Sequence, residues 1–250
     1  MIAIPEWIPY RRGHEILRVL SDAMKCESPQ RGLYVLAGPA DNGKTALGDR
    51  LQQLHPASVN ETSERSQIPV LALDMTPTPS FSPIFRTALR KLGTPVIPCP
   101  LDRAVAYLGG VLAGVRTRLI VLDDAQHILT GIPSQRSLFL SFWRDVAAQA
   151  GAALLLVGSA QVLELAPDAE LLPLPAWPLD DEFERMVQAL AQCLSPERAL
   201  IGAEDIPALY SICAGRLGVL VATMMALVEG GSLRTVVSWD ERFQRTELVL

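Results

Sequence analysis

Leu33-Tyr-Val-Leu-Ala-Gly38-Pro-Ala-Asp-Asn-Gly43-Lys44-Thr45-Ala46-Leu-Gly-Asp-Arg50 is the stretch on which the reading of the fold turns. Five apolar residues in a row, Leu33–Ala37, predict a strand buried on both faces. The next eight satisfy G-x-x-x-x-G-K-[ST], and residues 46–54 continue with helical character. A strand, a glycine loop and a helix start in that order suit phosphate. The glycines let backbone N–H groups turn inward and the helix N-terminus favours an anion; Lys44 brings charge to the β- and γ-oxygens and the Thr45 hydroxyl can ligate Mg²⁺. ATP and Mg²⁺ are the expected cofactors, with Gly38, Pro39, Ala40, Asp41, Asn42, Gly43, Lys44, Thr45 and Ala46 as the nucleotide-binding residues. The competing reading is an ordinary glycine-rich turn, which seldom matches this pattern between a strand and a helix.

Upstream, Ile16, Leu17, Leu20 and Met24 recur at helical spacing over 13–25, until Glu27-Ser-Pro-Gln-Arg breaks the pattern. Downstream, the polar residues 58–67 predict a surface loop, and 68–73 predict a second strand ended by Asp74 and the proline-rich 76–83. Helices over 83–92 and 101–115 lead to a third strand, Leu119-Ile-Val-Leu122; a long helix over 134–150 leads to a fourth, 152–157. The cluster Leu171-Leu-Pro-Leu-Pro-Ala-Trp-Pro178 is placed as a short fifth strand and a boundary. Strands alternating with helices demand crossovers, so the fold class is α/β, a P-loop NTPase with a mainly parallel sheet and helices on both faces. Beyond 178 the pattern is helical: Asp180-Asp-Glu sets acids at a helix N-terminus, and Phe183, Met186, Val187, Leu190 and Leu194 share one face. The expected organisation is an N-terminal lead-in and helix (1–29), a nucleotide-binding core (30–178), a small helical lid (179–231) and a C-terminal tail (232–250).

The 250 residues are 49% hydrophobic and 20% charged, which excludes a disordered chain. A net charge of −5 leaves no bulk positive field for nucleic acid, so any DNA contact must be local. Arg86, Arg90, Arg116 and Arg118, with Lys91 and Arg103 nearby, form the best candidate patch; an ordinary solvated helix face explains them equally well. Cys26, Cys99, Cys193 and Cys213 show no metal-ligand spacing to His14, His55 or His127, and read as thiols of a reducing compartment. The N-terminus lacks a basic region followed by an apolar run, and the uncharged run 146–163 is interrupted by Gln149, Gly151, Gly158, Ser159 and Gln161. A cytoplasmic protein without a membrane partner is expected.

The second chemical signal is Leu119-Ile-Val-Leu-Asp123-Asp124, an apolar strand ending in two carboxylates. Beside a phosphate loop, Asp123 fits the acid that holds Mg²⁺ through water and Asp124 the one that orients the attacking water. Ser159, in Val157-Gly-Ser159, is either a sensor of the γ-phosphate or only a turn residue. Arg216, in Cys213-Ala-Gly-Arg-Leu-Gly218, either reaches the phosphates or is a solvated residue at a helix cap. His127 is read as a packing residue one turn into a helix after the third strand.

In this order of features the chain resembles the AAA+ ATPases, and more narrowly the TniB/TnsC-like ATP-binding proteins of transposition. The resemblance rests on Trp7-Ile-Pro-Tyr-Arg11, the loop 38–45, Val121-Leu-Asp-Asp-Ala-Gln-His127, Leu156-Val-Gly-Ser-Ala160, Leu174-Pro-Ala-Trp177 followed by Asp181-Glu-Phe183, and Ala214-Gly-Arg-Leu-Gly218. The phosphate loop and acidic pair are generic to the superfamily; the Leu-Pro-x-Trp with its downstream acidic-Phe helix narrows the choice. The resemblance implies a protein that oligomerises on double-stranded DNA when ATP-bound, as a homo-oligomer or filament. It would link a TniQ-like target-selection protein to a DDE transposase and disassemble on hydrolysis. It further implies catalytic roles for Lys44, Asp124, Ser159 (sensor 1) and Arg216 (sensor 2), metal binding by Thr45 and Asp123, and Tyr10 and Arg11 near the adenine.

Two departures accompany the likeness. Asp124 stands where the family usually has Glu, and the segment that usually carries an Arg-Phe pair reads Asp168-Ala-Glu-Leu-Leu-Pro173. No Lys or Arg lies between Asp145 and Glu184, so an arginine acting in a neighbouring subunit's site must come from elsewhere, Arg136 and Arg144 being nearest, or be absent. The alternatives are an assembly module with little or no hydrolysis, or an unrelated P-loop kinase or NTPase.

Overall fold

The computed structural model describes residues 7–26, 32–60, 65–77, 80–96, 100–195 and 201–230. Along the chain come α1 (Arg11–Lys25), β1 (Leu33–Ala37), α2 (Lys44–Leu54), β2 (Ser58–Asn60), β3 (Arg65–Gln67) and β4 (Val70–Asp74). Then follow α3 (Phe81–Lys91), α4 (Leu101–Gly114), β5 (Leu119–Asp123), α5 (Pro133–Ala150), β6 (Ala153–Gly158) and β7 (Glu170–Pro173). Last are α6 (Asp181–Leu194), α7 (Ile206–Cys213) and α8 (Leu217–Val228). The tail 232–250, the break at 27–31 and Cys99 lie outside the described residues.

The chain divides into two units. One holds residues 12–38 and 44–174; the other holds 1–11, 39–43 and 175–250. In the first, the sheet order is β4-β5-β6-β1-β7 and every pair is parallel, so the apolar run Leu33–Ala37 lies inside the sheet between β6 and β7. Alternation sorts the strand residues. Val35, Leu71, Leu73, Ile120, Leu122, Leu154 and Leu156 form one core with Leu89 of α3, Leu108 and Leu112 of α4, and Phe139, Trp143 and Val146 of α5. The residues between them, Leu36, Val121, Leu155 and Val157, are equally buried, and α2 packs on β4 and β6 with Leu47 and Leu51 fully enclosed. Helices therefore cover both faces, as the run of apolar residues in each strand requires.

Three expectations need correction. Residues 58–67, read as a loop, include the antiparallel pair β2 and β3, with Ser58 opposite Gln67 and Asn60 opposite Arg65; a polar connection satisfies its backbone by pairing with itself. The second strand begins at Val70 because Pro69 has no N–H to donate, and its carbonyl accepts from Arg118 and Leu119 at 2.8 and 3.1 Å. His127 sits in a 3-10 turn, Ala125–Thr130, and not one turn into a helix; the long helix expected over 134–150 runs Pro133–Ala150, its proline's missing N–H being harmless in a first turn.

The second unit is built on α6, α7, α8 and Trp177. Asp180 caps α6, its carboxylate accepting from the N–H groups of Glu182 and Phe183, both at 3.0 Å. The Trp177 ring packs on Tyr10 with centroids 5.0 Å apart, and Tyr10 on Trp7 at 5.4 Å. The Trp177 N–H donates to Gly215 O at 2.9 Å, and its carbonyl accepts from the Tyr210 hydroxyl at 3.0 Å. No helix among the described residues is long and apolar enough to cross a membrane.

Candidate functional site

In a parallel sheet all strands end on one edge, and ligands gather there where neighbouring crossovers part. Register aligns Ala37 with Gly158 and with Pro173, and Asp74 with Asp123, which brings the predicted residues of β1, β5 and β6 to that edge. The Gly38 N–H donates to Gly158 O at 3.1 Å, and any side chain at Gly38 would run into the Leu174 carbonyl. Thr45, in the first turn of α2 beside Lys44, donates its hydroxyl hydrogen to Asp123 Oδ2 at 2.7 Å; the Asp124 N–H donates to Asp123 Oδ1 at 2.8 Å. Asp123 is only 8% exposed, and burial pushes its carboxyl above the ordinary range against the pull of these two hydrogen bonds, with Asp124 and Asp74 adding repulsion. A buried carboxylate among other acids lacks positive charge. One hydroxyl and one carboxylate oxygen are hard donors, so Thr45 and Asp123 fit Mg²⁺ held jointly with phosphate.

Asp124 is exposed and takes the left-handed conformation, φ 52° and ψ 36°. Its Oδ1 accepts from Gln126 Nε2 at 3.0 Å. Sequence reasoning passed over Gln126; the available signal was an amide two residues beyond the acid. Ser159 caps the 3-10 turn Ala160–Glu164, and its Oγ is buried with no hydrogen-bond partner among the described residues.

The other predicted nucleotide contacts belong to the helical unit. Asp41 (φ 56°) and Gly43 (φ 80°) give the loop tip its left-handed turns. Asp41 O accepts from the Gly218 N–H at 2.6 Å, and buried Asn42 donates through Nδ2 to Pro175 O at 2.7 Å. Pro39 and Ala40 are exposed. Arg216 is the N-cap residue of α8, its Nε donating to Cys213 O at 3.4 Å. Tyr10 is buried against the two tryptophans, and the exposed Arg11 donates its N–H to Glu182 Oε1 at 2.8 Å. Ala46, which belongs instead to the sheet unit, is exposed on α2.

Arg86 and Arg90 are exposed on α3, and Arg116 and Arg118 in the turn before β5. Because that turn precedes β5, Arg116 and Arg118 belong to the opposite edge from Asp123, whereas Lys91, next to Arg90 at the end of α3, donates to Ala72 O at 2.7 Å and pairs with Asp74, which is in register with Asp123. Arg144 pairs with Asp168 through two hydrogen bonds, Nη1 to Oδ2 at 2.9 Å and Nη2 to Oδ1 at 2.5 Å, and this holds the Asp168 carboxyl below its usual range. The segment without a basic residue in sequence thus has one in space, supplied by α5. Arg136 donates through Nε to Gly131 O, and Arg136 and Arg144 line a concavity of about 370 Å³ with Ser137, Ser141 and Glu164.

The family described as bacterial TniB protein matches residues 1–172. No curated protein sequence matches the chain. Among solved structures, a Walker-type ATPase of Pyrococcus abyssi is similar with a TM-score of 0.67 and 12% identity, over 96% of this chain and 73% of its own. The ORC2 protein of Aeropyrum pernix, solved as ADPNP–ADP complexes, gives 0.65 and 17%, over 95% and 70%. AMPPCP-bound DnaA from Aquifex aeolicus gives 0.54 and 13%, over 97% and 69%. At such identities the likeness is one of fold, and the fold is that of the AAA+ P-loop ATPases.

Proposed function

The chain belongs to the TniB family of bacterial proteins, and on that premise we propose that it is an ATP-dependent regulator of DNA transposition. When ATP-bound it oligomerises on double-stranded DNA, links a TniQ-like target-selection protein to a DDE transposase, and lets go on hydrolysis. Lys44 binds the β- and γ-phosphates with backbone N–H groups of the loop 38–46, in which Pro39 has none to give. Thr45 and Asp123 would hold Mg²⁺, which would supply charge neutralisation to the phosphates. Asp124 orients the attacking water, Ser159 donates to the γ-phosphate, Arg216 acts on the phosphates as sensor 2, and Tyr10 and Arg11 lie near the adenine. Arg86, Arg90, Arg116 and Arg118 supply the DNA contact, repeated along an oligomer so that a chain of net charge −5 gains by multivalency.

The observation that carries this reading is the pairing of Thr45 with Asp123 at 2.7 Å, with Asp124 next in chain. It is the arrangement that a P-loop site needs for metal and water. Electron microscopy of the purified protein with duplex DNA tests it: ordered oligomers are expected with a slowly hydrolysed ATP analogue and not without nucleotide. DNA binding by a monomer, equal with and without nucleotide, overturns it. The second reading, assembly with little turnover, is favoured by the Arg144–Asp168 pair, which engages within one chain the arginine nearest the family's usual position. Turnover of the protein alone should accordingly fall below about one per second, the low end of ordinary enzymes.

A further inference from the structure

We propose that Gln126 is a positioning residue: its carboxamide, wedged against Gly158, holds the Asp124 carboxylate in the orientation that activates water. The inference rests on the reading of Asp124 given above and adds what governs that group. An exposed aspartate with one methylene has little to stop its carboxylate turning. Here both halves of the residue are tied. The Asp124 N–H donates to Asp123 Oδ1 at 2.8 Å, which fixes the left-handed backbone, and Gln126 Nε2 donates to Oδ1 at 3.0 Å, which fixes the side chain. Oδ2 has no hydrogen-bond partner among the described residues, and is the oxygen left to accept a proton from water.

The other end of the amide shows that the contact is more than a local turn of the chain. Gln126 Oε1 is buried with no hydrogen-bond partner among the described residues. It lies against Gly158, where a Cβ would overlap it and would also meet Gln126 N at 3.3 Å. Burying a carbonyl oxygen unpaired is unfavourable, and in solvent the same side chain would avoid that cost. The space left by Gly158, the last residue of β6, keeps it inside. Ser159, the next residue, carries a second buried oxygen, its hydroxyl, with no hydrogen-bond partner among the described residues. Gln126 therefore spans from the end of β5 to the end of β6, the two strands whose ends carry the water-orienting acid and the proposed phosphate sensor.

The test uses the full chain. Gln126→Leu keeps the bulk of the side chain and removes the donor, so single-turnover hydrolysis should fall about tenfold to a hundredfold, the loss expected from a misplaced base, while Mg²⁺–ATP affinity stays within about twofold. In an Asp124→Asn background the same change should cause no further loss. In nucleotide-free protein, the side-chain amide resonance of Gln126 should move toward that of a free glutamine in Asp124→Ala. If Gln126→Leu hydrolyses at the wild-type rate while Asp124→Asn is inactive, or if the amide resonance does not move, the positioning role is overturned and the reading of Asp124 stands. If Asp124→Asn hydrolyses like wild type, or the wild-type chain releases no phosphate under any condition, the reading of Asp124 falls and this inference with it.

Discussion

The loop 38–45 is held at its sheet end and at its tip by different kinds of contact. At the sheet edge, beside the backbone bond from the Gly38 N–H to Gly158 O, the bonds around the acids involve side chains: the Thr45 hydroxyl, both oxygens of Asp123, and the Gln126 amide on Asp124. In the helical unit, beside the Asn42 amide on Pro175 O, backbone bonds at two glycines take part: the Gly218 N–H on Asp41 O and the Trp177 N–H on Gly215 O. Both glycines there are demanded by space, since a Cβ at Gly215 would overlap the Trp177 backbone and one at Gly218 would come within 2.9 Å of Asp41 O. Side-chain bonds can be removed singly without refolding the chain. Backbone bonds cannot. Substitutions of the sheet-edge side chains should therefore alter chemistry with no large loss of stability, and those at the glycines should lower stability first.

The largest effect expected on the side-chain end is on rate. Asp124→Asn keeps the size and removes the base, so hydrolysis should drop about 10²–10⁴-fold with binding of Mg²⁺–ATP retained and any ATP-dependent assembly prolonged; phosphate release and a melting curve check both halves. Next is the backbone end. Gly215→Val forces a branched residue to φ 71° against Trp177 and should cost more than about 3 kcal/mol, seen as a low-temperature transition in calorimetry. A fully stable Gly215→Val would break the distinction drawn above. Lys44→Ala should weaken ATP binding by roughly tenfold to a hundredfold, the worth of a charge-assisted bond, measured by isothermal titration.

A smaller effect bears on why Asp123 is built into a buried place. Its folded carboxyl lies above the ordinary 3.8, so the folded state holds the proton more tightly than the unfolded chain. Stability of the metal-free protein is unaffected below the unfolded value, falls as pH rises from there through the raised folded value, and stays reduced above it. Asp123→Asn should remove that loss and raise the melting temperature at neutral pH by about 2–4 °C, with the gain shrinking toward acid, while Mg²⁺-dependent nucleotide binding is lost. The smallest effect concerns Arg144 and Asp168, a pair exposed to solvent and screened by salt. Asp168→Asn should leave the melting curve unchanged. If Arg144 acts on a neighbouring subunit, specific hydrolysis should rise with protein concentration, and Arg144→Ala should abolish the rise without weakening ATP binding.

The chain-local part of this protein is legible in its sequence. Buried parallel strands announce themselves as unbroken apolar runs, and the glycine loop and the acid pair are each contiguous, so fold class and the identities of Lys44, Thr45, Asp123 and Asp124 follow from spacing alone. Strand ends moved by a residue or two where Pro69 removed a donor, and the β2–β3 pair was hidden because two three-residue strands are too short to carry a periodicity to read. What meets what was settled only in space. Thr45 and Asp123 lie 78 residues apart and join because the order β4-β5-β6-β1-β7 brings the ends of β1 and β5 to one edge. The same holds for Arg144, carried by α5 to an aspartate 24 residues on, and for Gln126, whose amide lodges in the space left at Gly158. Periodicity records which side of an element faces the core. The neighbours on that side are chosen by crossover order and by the volume that a missing Cβ leaves, and neither is written in any one stretch of the chain.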